Sequence, residues 1–421
     1  MPKITNVVAR EILDSRATPT IEVSVLTDIG TFGTASIPSG AGVSKDEDVE
    51  LRDGDPARYH GQGVLKAVHN AQAVLGPKLI GMEVEGQEKL DAHMIDLDGT
   101  NNESRLGANT ILAISIACLK AAANSYKLPL FAYIATRYRP GSKLSIPGPI
   151  FNLINGGKHG AGNLDFQEFH VIPSTTMTFS NALRAGAETW SSLKTELAHR
   201  NAIHSVGDEG GFAPNLFTNA DALELMALVV KNSSYRLGQD LYLGLDVASD
   251  SFYQDGKYNI KDSPRPLSPA ELTQLYQNLV KDYGLLGLED PLSQNDWSGW
   301  SKLSEVMPSS VMIIGDDLIT TNVKRLQKAI DEKSCNAVIV KPNQIGTVTE
   351  TIDLIRLAQK NNFTTIASHR SGETNDSFIA DFAVGMGTDY AKFGAPDRGE
   401  RIAKYNRLLE IESFLNTSSR A

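Results

Sequence analysis

Apolar and polar residues alternate near the start of the chain. In residues 20–25 the side chains of Ile21, Val23 and Val25 share one face of an extended segment. A second apolar run, residues 32–37, follows an Asp-Ile-Gly turn. This pattern predicts an antiparallel hairpin that belongs to a small sheet.

After the hairpin the apolar period becomes that of a helix. Apolar side chains recur at helical spacing at Val64, Leu65, Val68, Ala71 and Leu75. Residues 108–123 are apolar on most faces, which is typical of a helix packed inside a domain. We therefore predict an α+β N-terminal domain over residues 1–135, with a mobile surface loop in the glycine- and serine-rich residues 38–48.

A stretch that contains proline and glycine, residues 129–149, predicts the boundary with a second domain. We assign residues 136–421 to that domain. Two apolar runs near its start flank a glycine-rich loop that carries His159, and the second run carries Gln167 and Glu168. Glycines allow such a loop to approach a ligand closely.

The second half of the chain repeats one pattern, a short apolar run that ends on a polar or charged side chain. These ends are Asp246, Glu289, Asp316, Lys341, the His369-Arg370-Ser371 cluster and Lys392. Successive ends are separated by about one strand, one helix and two loops, which is the size of a βα unit. The pattern predicts an α/β fold with a C-terminal (β/α)8 barrel, in which these side chains converge on one mouth.

The charge and the cysteines exclude several kinds of protein. A net charge of −10 argues against a nucleic acid or an anionic membrane as the main partner. The longest run without charged residues, residues 29–44, is too short to span a bilayer. Cys118 and Cys335 provide no disulfide framework, and the first residues lack the apolar core of a signal peptide. We therefore expect a cytoplasmic protein without a membrane span.

The carboxylates at the strand ends suit a particular metal. Asp246, Glu289 and Asp316 are hard oxygen ligands on three successive strand ends, with no cysteine or histidine among them, which favours Mg²⁺ over zinc or copper. The alternative is a structural cluster of salt bridges with Lys341 and Lys392. With Mg²⁺ present, positions left for substrate oxygens would favour an anionic substrate.

The remaining strand ends suggest a reaction. Arg370 and Ser371 suit a phosphate group. Lys341 beside a cation can lose its proton near neutral pH and become a base, and Lys392 can stabilise the resulting ene-diolate. Glu209, which we expect to be exposed before a Gly-Gly turn, can protonate a departing hydroxyl, although an acid at that position can also serve the turn alone. Together these groups suggest a dehydratase.

Ten motifs carry a resemblance to a known family. They are REILDSR, VELRDGD, INGGKH, FQEF, GDEGGFAPN, LEDPL, GDDL, KPNQIGT, SHRSGET and GERIAKYN. With these motifs the chain resembles the enolase family, glycolytic lyases that convert 2-phosphoglycerate to phosphoenolpyruvate, over nearly its whole length. The resemblance implies a barrel whose first units are arranged ββαα, with one antiparallel strand. It also implies a homodimer or a ring of dimers.

The resemblance further implies roles for individual residues. The implied catalytic residues are Glu209 as the acid for the C3 hydroxyl, Lys341 as the base at C2, Glu168 and His159. The implied substrate-binding residues include Gln167 and His369, without a specified substrate group. Arg370 and Ser371 are implied to bind the phosphate, and Lys392 the carboxylate. The implied ligands of a first Mg²⁺ are Asp246, Glu289 and Asp316, and a second, catalytic Mg²⁺ is expected.

The chain departs from the family pattern at a few positions. Gly42, followed by Val43 and Ser44, replaces a serine that helps to bind the second Mg²⁺ in the family. Ala17 replaces a glycine, and Gly399 replaces a serine. Two alternatives to the dehydration of 2-phosphoglycerate remain, of which the changed loop supports only the first. One is a related lyase or synthase that acts on a phosphonate or carboxyphosphonate analogue, and the other is a non-catalytic binding protein of the same fold.

Overall fold

The N-terminal residues form a three-stranded antiparallel sheet covered by helices. The computed structural model of the chain describes residues 1–40, 46–160 and 163–418. The strands are β1 (Ile4–Leu13), β2 (Pro19–Thr27) and β3 (Phe32–Ser36). The helices are α1 (Leu65–His69), α2 (Gly76–Leu79), α3 (Gln87–Asp98), α4 (Ala108–Ser125) and α5 (Leu130–Tyr138), and the residues Asn70–Leu75 between α1 and α2 form a π-helix.

The predicted hairpin is confirmed, since β2 and β3 pair antiparallel. The first strand, β1, was not predicted, because its apolar residues do not alternate strictly and its pairing with β2 shifts register between Ile4 and Asn6. Helix α4 packs across β2 and β3. At Gly33 in β3 a Cβ atom would lie 2.2 Å from the carbonyl oxygen of Ala117, so glycine allows this close approach of helix and sheet.

The second part of the chain forms a closed eight-stranded barrel. The strands after β3 are β4 (Gly148–Asn155), β5 (Glu168–Pro173), β6 (Leu241–Asp246), β7 (Tyr253–Gln254), β8 (Lys257–Tyr258), β9 (Leu285–Glu289), β10 (Met312–Gly315), β11 (Ala337–Val340), β12 (Thr364–Ser368) and β13 (Tyr390–Lys392). The barrel order is β4, β5, β6, β9, β10, β11, β12 and β13, which returns to β4, while β7 and β8 form a separate hairpin.

The helices after α5 surround this barrel. They are α6 (Phe179–His199), α7 (Asn219–Lys231), α8 (Pro269–Tyr283), α9 (Trp297–Val306), α10 (Val323–Glu332), α11 (Val348–Lys360), α12 (Phe378–Met386) and α13 (Gly399–Ser418). The barrel begins β4-β5-α6-α7, and β5 runs antiparallel to both neighbours while the other neighbouring pairs are parallel. The predicted fold class is therefore confirmed, including the ββαα start.

An apolar layer fills the lower part of the barrel. Its members come from strands around the barrel and are Ile150, Ile172, Met312, Ile314, Ala337, Ile339 and Ile366. Because side chains alternate along a strand, the inward positions nearer the carboxyl ends of the parallel strands lie above this layer. Those positions carry the polar side chains of the site.

The connection between the two parts follows helix α5. The boundary predicted after residue 135 lies inside α5, which packs against the barrel helix α12. The next residues without helix or strand are 139–147, and we propose that they connect the domains.

No single helix among residues 1–40, 46–160 and 163–418 is long and apolar enough to cross a membrane. Helices α4 and α5 meet that test only as a pair bent by 96°. Nearly all of α4 is buried within the protein, which is typical of a core helix.

The loop predicted to be mobile at the surface lies partly outside the described residues, and this part includes Gly42, Val43 and Ser44. Among its described residues Ser39 and Glu47 are buried, at 0% and 8% exposed, which corrects the prediction of a surface loop for these two residues, whereas Asp46 is exposed. Ser39 donates a hydrogen bond to Asp14, and Glu47 pairs with Arg370 of the barrel. These polar contacts hold both ends against the rest of the protein.

Ala17 occupies a strained turn between β1 and β2, at the position where the resembled family has glycine. Its φ of 58° lies in the left-handed region, where a Cβ atom costs about 1–2 kcal/mol. We expect Ala17→Gly to raise the free energy of unfolding by about 0.5–1 kcal/mol, since greater freedom of the unfolded chain offsets part of the relieved strain. Urea denaturation measures this change. Ala227→Gly, within helix α7, is the matched control and should lower the same quantity. A decrease with Ala17→Gly would contradict the strain.

Candidate active site

The polar strand ends surround one open cavity of about 230 Å³ at the mouth of the barrel. Its lining includes His159, Gln167, Glu168, Glu209, Asp246, Asp316, Lys341, His369, Arg370, Ser371 and Lys392. Glu289, the remaining site residue from the sequence, lies beneath, 2.7 Å from Lys392. The structure thus brings together every residue for which a role was predicted. The cavity is also lined by Lys158, Asp250, Asp290, Gln294 and Asp317, to which no role was assigned.

Lys392 lies at the centre of three carboxylates. Its Nζ atom is 2.7 Å from Glu289 Oε2, and 3.1 Å from both Asp246 Oδ2 and Glu168 Oε2. Burial lowers the pKa of Lys392, but the three carboxylates outweigh burial and raise that pKa well above its ordinary value. Lys392 therefore remains a cation and stabilises the negative charge around it.

Lys341 pairs with the carboxylate of Asp316 at the neighbouring strand end. Gln344 donates to the other oxygen of Asp316 at 3.3 Å, and Thr321 Oγ1 accepts from the backbone nitrogen of Lys341 at 2.9 Å. Burial lowers the pKa of Lys341, but the charge of Asp316 raises it above the ordinary value. In this pairing Lys341 keeps its proton. The predicted role of Lys341 as a base instead requires a neighbouring cation, which would lower its pKa.

The carboxylates of Asp246, Glu289 and Asp316 fit a hard divalent cation. Asp246 and Glu289 are direct partners in the register of β6 and β9, and Asp316 follows the next strand, β10. Glu289 Oε1 is buried and has no hydrogen-bond partner among the residues that the structure describes. Burial, and then the charge of Asp246, raise the pKa of Glu289 well above its ordinary value. A cation with a preference for oxygen, such as Mg²⁺, would satisfy that atom and reduce the repulsion.

A second group of acids adjoins this set. Ligand atoms of Asp290, Asp316 and Asp317 lie within 4.8 Å of one another. Asp290 accepts hydrogen bonds from the backbone nitrogens of Asp316 at 3.0 Å and Asp317 at 2.8 Å. Both oxygens of Asp290 therefore hold the turn after β10, and this role was not predicted from the sequence.

Glu209 is buried, which corrects the prediction of an exposed acid. Its residue exposure is 2%, because the turn that carries it folds into the barrel mouth. Asn152 Nδ2 donates to Glu209 Oε2 at 3.0 Å, and the backbone nitrogen of Ala395 donates to the carbonyl of Glu209 at 2.9 Å. The Gly-Gly pair predicted a turn correctly, but it carried no information on what would cover that turn.

His159 lies between two carboxyl groups that differ in acidity. Its Nδ1 atom is 3.2 Å from Glu168 Oε1 and 3.6 Å from Glu209 Oε1. Burial lowers the pKa of His159, but the charges of Glu209 and Glu168 outweigh burial and raise it to about 9. Burial and the charge of Glu168 raise the pKa of Glu209. Burial raises the pKa of Glu168, but Lys392, His159 and His170 outweigh burial and hold that pKa well below its ordinary value.

The opposite shifts give the two carboxyl groups different chemical capacities. Glu168 is held as an anion, while Glu209 retains a proton more readily than an ordinary glutamate. When two neighbouring carboxyl groups differ in pKa, one can serve as an anion while the other serves as a proton donor.

Arg370 and Ser371 lie next to each other in the lining of the cavity. Arg370 is 6% exposed, and its Nη1 donates to Glu47 Oε2 at 3.0 Å and Asn343 Oδ1 at 3.2 Å. Ser371 Oγ is buried without a hydrogen-bond partner among the described residues. Glu47 was missed by the sequence analysis, since it lies in the loop predicted to be at the surface.

Arg401 of helix α13 positions the backbone of Arg370 and Ser371. Its Nη1 donates to the carbonyl of Arg370 at 2.6 Å, and its Nη2 donates to the carbonyl of Ser371 at 2.6 Å. Nη1 also lies 2.6 Å from His369 Nδ1, which must accept because arginine only donates. The ring proton of His369 is therefore on Nε2, 3.6 Å from Glu209 Oε2. Burial and the charge of Arg401 hold the pKa of His369 well below its ordinary value.

Comparison with known proteins agrees with this geometry. The family model described as "Enolase, N-terminal domain" matches residues 4–134, and the model described as "Enolase, C-terminal TIM barrel domain" matches residues 143–420. Two relatives named "Enolase", from the Welgevonden and Gardel strains of Ehrlichia ruminantium, are each 47% identical over 418 residues. Each alignment covers 99% of this chain and 98% of the relative. The chain belongs to the enolase family.

Proposed function

We propose that the chain catalyses the reversible dehydration of 2-phospho-D-glycerate to phosphoenolpyruvate in glycolysis and gluconeogenesis, with Lys341 as base and Glu209 as acid. As a member of the enolase family it is a phosphopyruvate hydratase, a carbon–oxygen lyase. The observation that supports these roles is that one cavity is lined by carboxylates, by Lys341 and Lys392, and by Arg370 and Ser371.

Substrate orientation follows from the charges in the cavity. The Arg370 guanidinium and the unpartnered Ser371 hydroxyl suit the phosphate, for which Glu47 must yield its contact with Arg370. Lys392 suits the substrate carboxylate, and Gln167 and His369 border the space between. Mg²⁺ held by Asp246, Glu289 and Asp316 would supply positive charge that stabilises the anion formed at the substrate carboxylate. Glu289 Oε1, which is buried without a hydrogen-bond partner among the described residues, supports this set of ligands.

Lys341 takes the C2 proton only when its amine is neutral. Asp316 favours the ammonium form, so any interaction that draws the charge of Asp316 away from Lys341 makes this base stronger. The backbone contact with Thr321 holds the lysine at the strand end while this exchange of partners takes place.

Glu209 gives its proton to the leaving C3 hydroxyl. Its raised pKa preserves the proton for this step, and the Asn152 amide holds the carboxyl in place. Glu168 and His159 complete the site on the same side, where the anion of Glu168 favours protonation of its neighbours.

The Glu209→Gln variant should lower turnover by about 10²- to 10³-fold, because an amide of the same shape has no proton to give. Exchange of the C2 hydrogen with solvent should fall less, since that step belongs to Lys341. Both rates are measured with 2-phosphoglycerate in D2O. Asp208→Asn changes the adjacent exposed acid and should leave both rates unaltered. An equal loss of turnover and exchange in Glu209→Gln would contradict its role as acid.

We further propose two Mg²⁺ ions, of which the second acts in catalysis, and a homodimer or ring of dimers in the cytoplasm. Family membership supports these proposals, and the free, buried Cys118 and Cys335 suit a reducing compartment. The family's usual serine ligand for the second ion corresponds to Gly42, outside the described residues.

The test of the proposed function is ultraviolet detection of phosphoenolpyruvate from 2-phosphoglycerate across a range of Mg²⁺ concentrations, with EDTA as the zero point. We expect turnover that depends on Mg²⁺. Turnover of a phosphonate analogue with none of 2-phosphoglycerate would favour the analogue-specific lyase. Absence of both turnover and calorimetric Mg²⁺ binding would favour the non-catalytic alternative.

A further inference from the structure

Strand β5 places a histidine inside the barrel, directly below the site. Residues alternate along this strand, so Glu168, His170 and Ile172 share its inward face. Ile172 belongs to the apolar layer, and Glu168 borders the cavity. His170, which is 2% exposed, lies between the apolar layer and the reacting groups.

His170 makes a directed contact with Glu168. Its Nε2 atom lies 2.8 Å from Glu168 Oε2, the same oxygen that Lys392 approaches at 3.1 Å. Lys392, which can only donate, approaches this oxygen, so Glu168 Oε2 is an acceptor and His170 Nε2 donates to it. With Oε2 held in this way, Oε1 faces His159 at 3.2 Å. His170 therefore fixes the orientation of the Glu168 carboxylate from the side of the apolar layer.

The surroundings of His170 leave space for this ring. It is opposite Asn152 in β4 and Gly244 in β6. A Cβ atom at Gly244 would lie 3.5 Å from the Cβ of His170 and 3.0 Å from Ile172 Cδ1. An apolar side chain would fill this layer without the cost of burying a polar ring, so packing alone does not explain a histidine here.

We propose that His170 is a positioning residue for the dehydration: its Nε2–H holds Glu168 Oε2, so that Glu168 Oε1 points to His159 and Glu209. This inference rests on the proposed function, because it concerns the step that Glu209 carries out. When His170 cannot donate, Glu168 is free to turn towards Lys392. The negative charge of Glu168 then lies farther from Glu209. Glu209 therefore retains its proton less well, and departure of the C3 hydroxyl slows.

Two variants of His170 test the proposal. Methionine has a similar volume but no N–H group, whereas glutamine keeps an N–H donor at a comparable reach. We expect His170→Met to lower kcat by about 10- to 100-fold, the range for loss of one hydrogen bond to a charged group. KM should change less than about twofold and C2 exchange should fall less than kcat, because binding and proton abstraction use other residues. His170→Gln should recover most of the loss.

The control His199→Met replaces an exposed histidine and should have wild-type kcat. A purely structural role for His170 predicts a different result, an equal loss of exchange and turnover without recovery by glutamine, and that result would overturn the proposal. Wild-type kcat in His170→Met would do the same. Absence of turnover in the wild-type protein would instead refute the proposed function.

The histidine tautomer gives a measurement that does not depend on the catalytic activity of the variants. In ¹⁵N-histidine NMR spectra of the wild-type protein, we expect the ring proton of His170 on Nε2, with its signal identified by loss in His170→Gln. A ring proton on Nδ1 would overturn the proposal whatever the activity, since Nε2 would then have no proton to donate to Glu168.

Discussion

Replacing Lys341 with alanine is expected to lower both turnover and C2 hydrogen exchange by about 10³- to 10⁴-fold, which is the upper range for loss of a general base. The reason is that Lys341 pairs with one carboxylate, that of Asp316, whereas Lys392 is held as a cation by three. Of the two lysines, Lys341 therefore needs to lose fewer charge partners before it can act as a base. The exchange is measured by NMR of 2-phosphoglycerate in D2O, and turnover by the absorbance of phosphoenolpyruvate.

The Lys341→Arg variant separates charge from proton abstraction. Arginine retains an ion pair with Asp316 but does not lose its proton in the working range of pH. If Lys341 is the base, Lys341→Arg should be as defective in exchange as Lys341→Ala. Lys302→Ala, an exposed lysine on helix α9, should behave as wild type. Exchange retained in Lys341→Arg would mean that the positive charge, and not the base, is what the reaction requires.

The sequence predicted the barrel residues of the site because their signal is local. In each case the apolar run marks the strand, and the polar residue that ends it must lie at the mouth. Lys341, Asp316 and Glu289 all follow this rule. The antiparallel direction of β5 is also consistent with its connection, since the described residues 156–160 and 163–167 contain only one short helical turn, and a parallel crossover normally needs a longer helix.

The residues that were missed make contacts over long distances in the chain. Arg401 reaches the carbonyls of residues 370 and 371 from the last helix, and Glu47 reaches Arg370 from the N-terminal domain. No local period indicates which side of helix α13 enters the site. The burial of Glu209 was missed for the same reason, because Asn152 and Ala395, which enclose it, are distant in sequence.

His170 shows a different limit of sequence reasoning. The alternation along β5 predicts that it shares a face with Glu168, yet a buried histidine among apolar residues is equally consistent with a packed core. Only the 2.8 Å contact between Nε2 and Glu168 Oε2 distinguishes the two interpretations. Such a contact depends on side-chain rotamers, which the pattern of residues does not encode.

Replacing Lys392 with methionine is expected to lower the free energy of unfolding by about 3–5 kcal/mol in EDTA, the usual cost of leaving buried charge without its partner. Glu168, Asp246 and Glu289 would then repel one another at the barrel mouth. Urea denaturation of the wild-type and variant proteins measures the loss. Lys302→Met, at an exposed position, should change the free energy of unfolding by less than about 0.5 kcal/mol.

Two conditions test whether repulsion causes the loss in Lys392→Met. Lys392 lowers the pKa values of Glu168 and Glu289. Without it, burial and mutual repulsion make these two carboxyl groups bind protons more tightly in the folded protein than in the unfolded chain. Stability should therefore fall as pH rises from their unfolded towards their folded pKa values, and the loss should be larger at pH 8 than at about pH 5. Added Mg²⁺ should reduce the loss, because Asp246 and Glu289 would share a cation. A loss independent of both pH and Mg²⁺ would mean that Lys392 stabilises the barrel by packing alone.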